Sequence, residues 1–155
     1  MDDPFKHATI GSGVFYRQPT AALDWLEKAF GFRRSVVVTD KDENIVHSEM
    51  RFGDAYLIVD SEWSQDIASP LSVGGRNTQS VYVKLPHGID QHCETARLAG
   101  AEIVQEPEDQ LYGNRIYRAR DPEGHIWTFS QTVAHVIRET AEHLSGCRIE
   151  GWHQD

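Results

Sequence analysis

Two cysteines in 155 residues are too few for a disulfide framework, and Cys93 and Cys147 do not stand at a zinc-finger spacing. Cys93 falls inside a helical pattern, where a thiol acts as a small buried hydrophobe. Basic residues are also scarce. Fifteen Lys and Arg against 24 Asp and Glu leave a formal net charge of −9, which repels polyanions and excludes nucleic acid and anionic membrane as partners. No apolar run approaches the roughly 20 residues that cross a bilayer. The start, Met1-Asp2-Asp3-Pro4-Phe5-Lys6, has no basic segment followed by an apolar stretch, so no secretory signal is expected and a cytoplasmic location follows. Glycine-rich phosphate loops, nucleophile elbows and Cys-His pairs are missing too. Small molecules are left as the default partner, and the acid excess would suit cationic amphiphiles.

With 39% apolar and 25% charged residues the composition is that of a soluble globular chain, long enough to bury most of its apolar surface. Residues 8–16 alternate, with Ile10, Val14 and Tyr16 on one side and Gly11 and Gly13 on the other, which predicts a strand with one bare face. Pro19 presets a helix that carries Ala22, Leu23, Leu26, Ala29 and Phe30 at helical spacing and stops at Gly31. Three strands follow, at 32–39, 45–52 and 55–60, the first two separated by a charged turn. Residues 61–77, with Pro70, Gly74 and Gly75, read as a linker.

The same order then returns: a strand at 79–85, a helix near 89–99 closed by Gly100, and strands at 102–106, 114–120 and 125–131. Gly31 matches Gly100 and Gly53 matches Gly124, an offset of about seventy residues that marks an internal repeat. The expectation is one α+β domain over 1–155. It comprises two βαβββ modules, 8–60 and 78–131, whose strands form a curved mixed eight-stranded sheet around a concave cleft. A C-terminal helix within 132–145 carries the stripe Val133, Val136, Ile137, Ala141 and Leu144 and stops at Gly146, within the tail 132–155. Such a stripe needs a cover, from the domain itself or from a partner.

Four strings carry a family resemblance: residues 21–32 in the first helix, 47–54 (His-Ser-Glu-Met-Arg-Phe-Gly-Asp), 99–104 (Ala-Gly-Ala-Glu-Ile-Val), and 112–127, which contains Asp121-Pro122-Glu123-Gly124-His125. In order and spacing the chain resembles the vicinal oxygen chelate superfamily of glyoxalases, bleomycin-resistance proteins and extradiol dioxygenases. The resemblance implies a homodimer, to which the third helix would contribute, and a divalent metal on the concave face, held by His, Glu or Gln from four strands. Carried over, those positions fall on Gly11, Ile58, Gln79 and Thr128, a set that provides one neutral amide and one hydroxyl. These groups cannot replace the hydration shell of a divalent ion, so neither metal nor other cofactor is expected. A register two residues away would bring Asp60 to the face of His47 and Glu49 and create a non-standard site.

Two further groups of side chains are candidates. His47 and Glu49 share a strand face, as acid-base partners or as a polar pair that orders the sheet. Arg115 and Tyr117 share another, after Tyr112 at the expected mouth of the cleft; Arg115 suits a carboxylate or phosphate, or a structural ion pair. Phe15, Tyr56, Trp63, Tyr82 and Trp127 are expected as pocket walls or, more commonly for aromatics in strands, as core. The remaining histidines, His7, His87, His92, His135, His143 and His153, read as surface residues. The function expected is metal-free binding of a small molecule, as in drug-sequestering relatives, through Phe15, His47, Glu49, Gln79, Tyr112, Arg115, Tyr117 and Thr128. The alternative is a lyase, isomerase or hydrolase using a non-standard metal site or a His47/Glu49 acid-base pair.

Overall fold

The computed structural model describes residues 8–152. His7 and His153 lie outside the described residues. The first half runs β1 (Ser12–Tyr16), α1 (Pro19–Phe30), β2 (Arg33–Thr39), β3 (Ile45–Phe52) and β4 (Ala55–Ser61); a short 3-10 helix, Pro70–Val73, interrupts the connection. The second runs β5 (Val81–Lys84), α2 (Ile89–Leu98), β6 (Glu102–Asp109), β7 (Asn114–Arg120) and β8 (Ile126–Thr132), followed by α3 (Arg138–Ser145). Each half forms a four-stranded mixed sheet, in the orders β1-β4-β3-β2 and β5-β8-β7-β6. The two sheets meet near β1 and β5 through a side-chain bond from Gln79 to the Ser12 hydroxyl, 2.7 Å, instead of a backbone ladder.

One apolar cluster draws on both halves. Leu23, Leu26 and Phe30 of α1 and Cys93 and Ala96 of α2 are buried with Val14, Met50 and Val59 from the first sheet and Tyr117, Trp127 and Phe129 from the second. Phe30 stands 4.7 Å from the Phe129 ring and 5.3 Å from Trp127. Each such side chain contributes about 1.5–3 kcal/mol on leaving water. Burial pushes the Cys93 thiol up to about 11, the behaviour of an inert core residue.

Polar bonds orient this core. Trp25 Nε1 donates to the Ala99 carbonyl at 2.8 Å. His92, expected on the surface, lies between the halves: Nε2–H donates to the Phe30 carbonyl at 2.9 Å and Nδ1 accepts from Tyr117 OH at 2.6 Å. Burial lowers its proton affinity, which keeps the ring neutral as this pattern requires.

The turn from β7 to β8 joins the halves most firmly. Asp121 accepts from Tyr16 OH (2.7 Å), Trp127 Nε1 (3.1 Å) and the backbone N–H groups of Glu123 and His125 (both 3.0 Å). Glu123 accepts from the N–H groups of Arg17 (2.7 Å) and Gln18 (2.9 Å) and from the Ser69 hydroxyl (2.7 Å). Gln18 precedes α1 without a capping side chain of its own, so a carboxylate more than a hundred residues away satisfies the helix start and complements its dipole. Gly124, at φ +94°, adopts the backbone that lets this turn close.

Three expectations about element extent change. β1 begins at Ser12, and Ile10 is 83% exposed, because pairing with β4 starts at Ser12 opposite Leu57. β6 runs on to Asp109 through Pro107, which an edge strand tolerates because the missing N–H can face outward. α3 starts at Arg138, since β8 continues to Thr132 and the N–H groups of Val133 and Ala134 are both held by the Gly113 carbonyl. Of the expected stripe, Ala141 is buried while Val133, Ile137 and Leu144 stay exposed.

Glu123→Ala leaves three donors without a partner in a buried place and is expected to cost about 3 kcal/mol. Urea unfolding followed by near-UV and far-UV circular dichroism should give one transition, displaced to lower urea; Arg115→Ala, which breaks exposed ion pairs, should cost under about 1 kcal/mol. Two separate transitions in the parent protein would contradict interlocked halves.

Candidate functional site

Register sets which side chains gather on the face of the first sheet turned away from α1. Phe15 is opposite Asp60, Gly13 opposite Ile58 and Ile58 opposite Glu49, while Tyr56 is opposite Arg51. Alternation places His47, Glu49 and Arg51 of β3 on this face and sends Ser48 and Met50 to the core. The bare side of β1 is filled from within. A Cβ on Gly11 would collide with the Tyr56 ring, and one on Gly13 would come within 3.0 Å of Phe15 Cζ. The two glycines make room for aromatic rings.

His47 is held between two carboxylates. Its Nε2 is 3.1 Å from Glu49 Oε1 and its Nδ1 3.3 Å from Asp60 Oδ2; Asp60 Oδ1 accepts from Ser48 N at 2.7 Å. Both ring nitrogens can donate to these acceptors only as the cation. The Glu49 bond, opposed by partial burial and helped by Asp60, holds His47 above the ordinary histidine value.

The metal that the resemblance implies does not fit the residues here. At Gly11 the volume that a ligand side chain would occupy holds Tyr56. Ile58 is aliphatic, Gln79 donates its amide to Ser12, and Thr128 is 6% exposed in the second sheet. The His47, Glu49 and Asp60 group does not substitute, because the two ring nitrogens point in opposite directions, each at its own carboxylate. Among the described residues no group of three His, Cys, Asp or Glu is arranged to hold an ion.

A cavity of about 280 Å³ opens at the seam. Its walls come from β1 (Gly13 to Phe15), the connection (Asp66 to Ala68, Pro70, Val73, and Arg76 to Ser80), Val81 of β5, and His125 with Ile126 at β8. Asn77 fixes one wall, donating to the Gly124 carbonyl at 2.8 Å and accepting from Ile126 N at 3.0 Å. His125 Nε2–H donates to the Phe15 carbonyl at 2.8 Å.

The candidate residues therefore divide. Phe15 and Gln79 line the seam cavity, and His47 and Glu49 stand on the adjoining face, in line with Phe15 through Asp60. The others do not join them. Tyr117 is fully buried in the core, and Arg115, on the same side of β7, is engaged by Asp109 (2.6 Å) and Asp90 of α2 (2.8 Å). Strand alternation explains the correction: the odd-numbered residues of β7 face α2. Thr128 is buried, and Tyr112 is exposed in the turn before β7. Of the other aromatics, Trp127 is core while Trp63 and Tyr82 are 66% and 57% exposed. The cavity wall missed in the sequence is the connection, whose irregular run carries no periodic signal.

His47 should titrate above about 6.5 by NMR. Its contribution to stability is then complete below that value and lost as pH rises through the raised one. Glu49→Gln should bring the midpoint down; an unchanged midpoint would show that Glu49 does not hold the cation.

Solved structures share this arrangement. TioX from Micromonospora sp. ML1 superposes with a TM-score of 0.67 at 30% identity, covering 81% of this chain and 99% of that one. A glyoxalase/bleomycin resistance protein/dioxygenase superfamily member from Sphaerobacter thermophilus gives 0.59 at 21% identity over 80% and 97%, a likeness of fold. By sequence, an uncharacterised protein of Mycobacterium bovis is 28% identical over 120 residues, 75% of this chain and 78% of its own length. A family model matches residues 5–129, and the chain belongs to the Glyoxalase/Bleomycin resistance protein/Dioxygenase superfamily.

Proposed function

We propose that this protein binds a small molecule in the seam cavity without a metal ion and sequesters it, a drug or metabolite. The observation that carries this reading is the pairing of two facts: the positions for metal ligands hold Gly11, Ile58, Gln79 and Thr128, yet both halves and their connection build a cavity of about 280 Å³ beside them. That volume is near the lower end of ligand pockets, roughly 300–1,000 Å³, and suits a single-ring compound. Phe15, Val81 and Ile126 supply apolar wall and Gln79 a polar anchor. A homodimer that covers the exposed Val133, Ile137 and Leu144, and a cytoplasmic location, complete the proposal. Among the described residues no helix is long and apolar enough to cross a membrane.

A catalytic alternative rests on His47. A histidine cation between Glu49 and Asp60 can serve as a general acid toward a carbonyl or leaving oxygen on the open face of the sheet.

Thermal-shift screening of chelator-treated, tag-free protein against single-ring compounds should find saturable stabilisers. Phe15→Ala should weaken them about tenfold by loss of an aromatic contact, and His47→Ala should not. Stoichiometric metal that survives chelation, or turnover abolished by His47→Ala, would favour the catalytic reading instead.

A further inference from the structure

The seam cavity contains a guanidinium that the fold does not use. Arg34, Arg97, Arg115, Arg120 and Arg138 are each paired with carboxylates, and Arg17 donates to the Ser72 hydroxyl and the Leu71 carbonyl. Arg76 lines the cavity and has neither hydrogen bond nor ion pair among the described residues. In a chain of net charge −9, an arginine beside a pocket without an acid partner runs against the overall field. Asp66 also lines the cavity and does not pair with it.

The segment that delivers Arg76 is anchored. Ser69 is fully buried, donates to Glu123 and caps the 3-10 helix by accepting from Leu71 N; Gly75 N returns to the Pro70 carbonyl at 2.7 Å. Gly74 and Gly75 both have positive φ, +70° and +78°, so the chain turns sharply just before Arg76. Asn77, the next residue, is bonded to Gly124 and Ile126. Arg76 thus stands between two fixed points. Thr78 and Ser80 add hydroxyls to the same lining, and Phe15, Val81 and Ile126 its apolar side.

We propose that the seam cavity selects small organic carboxylates, with Arg76 as the two-pronged partner of the carboxylate and Phe15 against the apolar body. This rests on the cavity being the ligand site and gives that site a charge preference opposite to the chain's own excess.

The test is a shape-matched series, phenylacetate, phenylacetamide and phenethylamine, titrated into the full chain at low salt and followed by NMR. Phenylacetate should bind about tenfold more tightly than the amide, the advantage of a charge-assisted hydrogen bond. Arg76→Gln, an exposed substitution that leaves the anchored segment intact, should erase that advantage by weakening phenylacetate about tenfold more than the amide; Arg76→Lys should keep part of it. Equal or tighter binding of phenethylamine, or an anion preference that survives Arg76→Gln, overturns the carboxylate assignment while the cavity remains a ligand site. Binding of none of the three overturns the cavity as well.

Discussion

The pair of carboxylates in the Asp121-Pro122-Glu123-Gly124-His125 turn is the constraint on which the rest of the molecule hangs. Asp121 and Glu123 are 4% and 9% exposed and have no ion-pair partner among the described residues. Burying two anions without a cation is costly unless their lone pairs are met. Seven donors meet them, and three of these, Tyr16 OH at the end of β1 and Arg17 N and Gln18 N at the start of α1, belong to the far half of the chain. The bond from Ser69 brings the connection into the same network. Burial and the neighbouring Asp121 hold Tyr16 far above its ordinary value, so its hydroxyl remains a donor.

The site follows from that clamp. Once the β7–β8 turn is fixed against the end of β1, His125 is held on the Phe15 carbonyl and the connection must cross the gap between the sheets. That crossing leaves the seam cavity. On the first sheet, glycines at 11 and 13 admit the Tyr56 and Phe15 rings, and at Gly11 this leaves no side chain at one of the four positions where the resemblance implies a metal ligand. The superfamily scaffold is thereby kept, while under the proposed function its ligand chemistry shifts from coordination to apolar contact with a few polar anchors. Fold alone does not dictate that outcome; the side chains at the seam do.

Much of this was legible in the sequence. The repeated strand-helix-strand order and the stop residues Gly31 and Gly100 come from local pattern; Gly11, Ile58, Gln79 and Thr128 came into view through the family resemblance alone. Asp121 to Gly124 was readable as a turn, but the partners of its carboxylates were not, because Tyr16 and Ser69 are 105 and 54 positions away. The face of Arg115 and Tyr117 was not readable either: alternation says that they agree with each other, not which side α2 covers. The stripe from Val133 to Leu144 misled because helical spacing continues across residues that Gly113 holds outside the helix. Arg76 gave no signal at all, being one charge in an aperiodic stretch whose course depends on Ser69 and Asn77.

Amide chemical-shift mapping of the ¹⁵N-labelled, chelator-treated protein with phenylacetate tests most directly whether the ligand site is the seam and works without metal. The account predicts saturable shifts around Gly13 and Phe15, along residues 66–81 and at His125 and Ile126. Shifts that appear only after a divalent ion is added, or that gather around His47 and Glu49 with the seam unmoved, would contradict it.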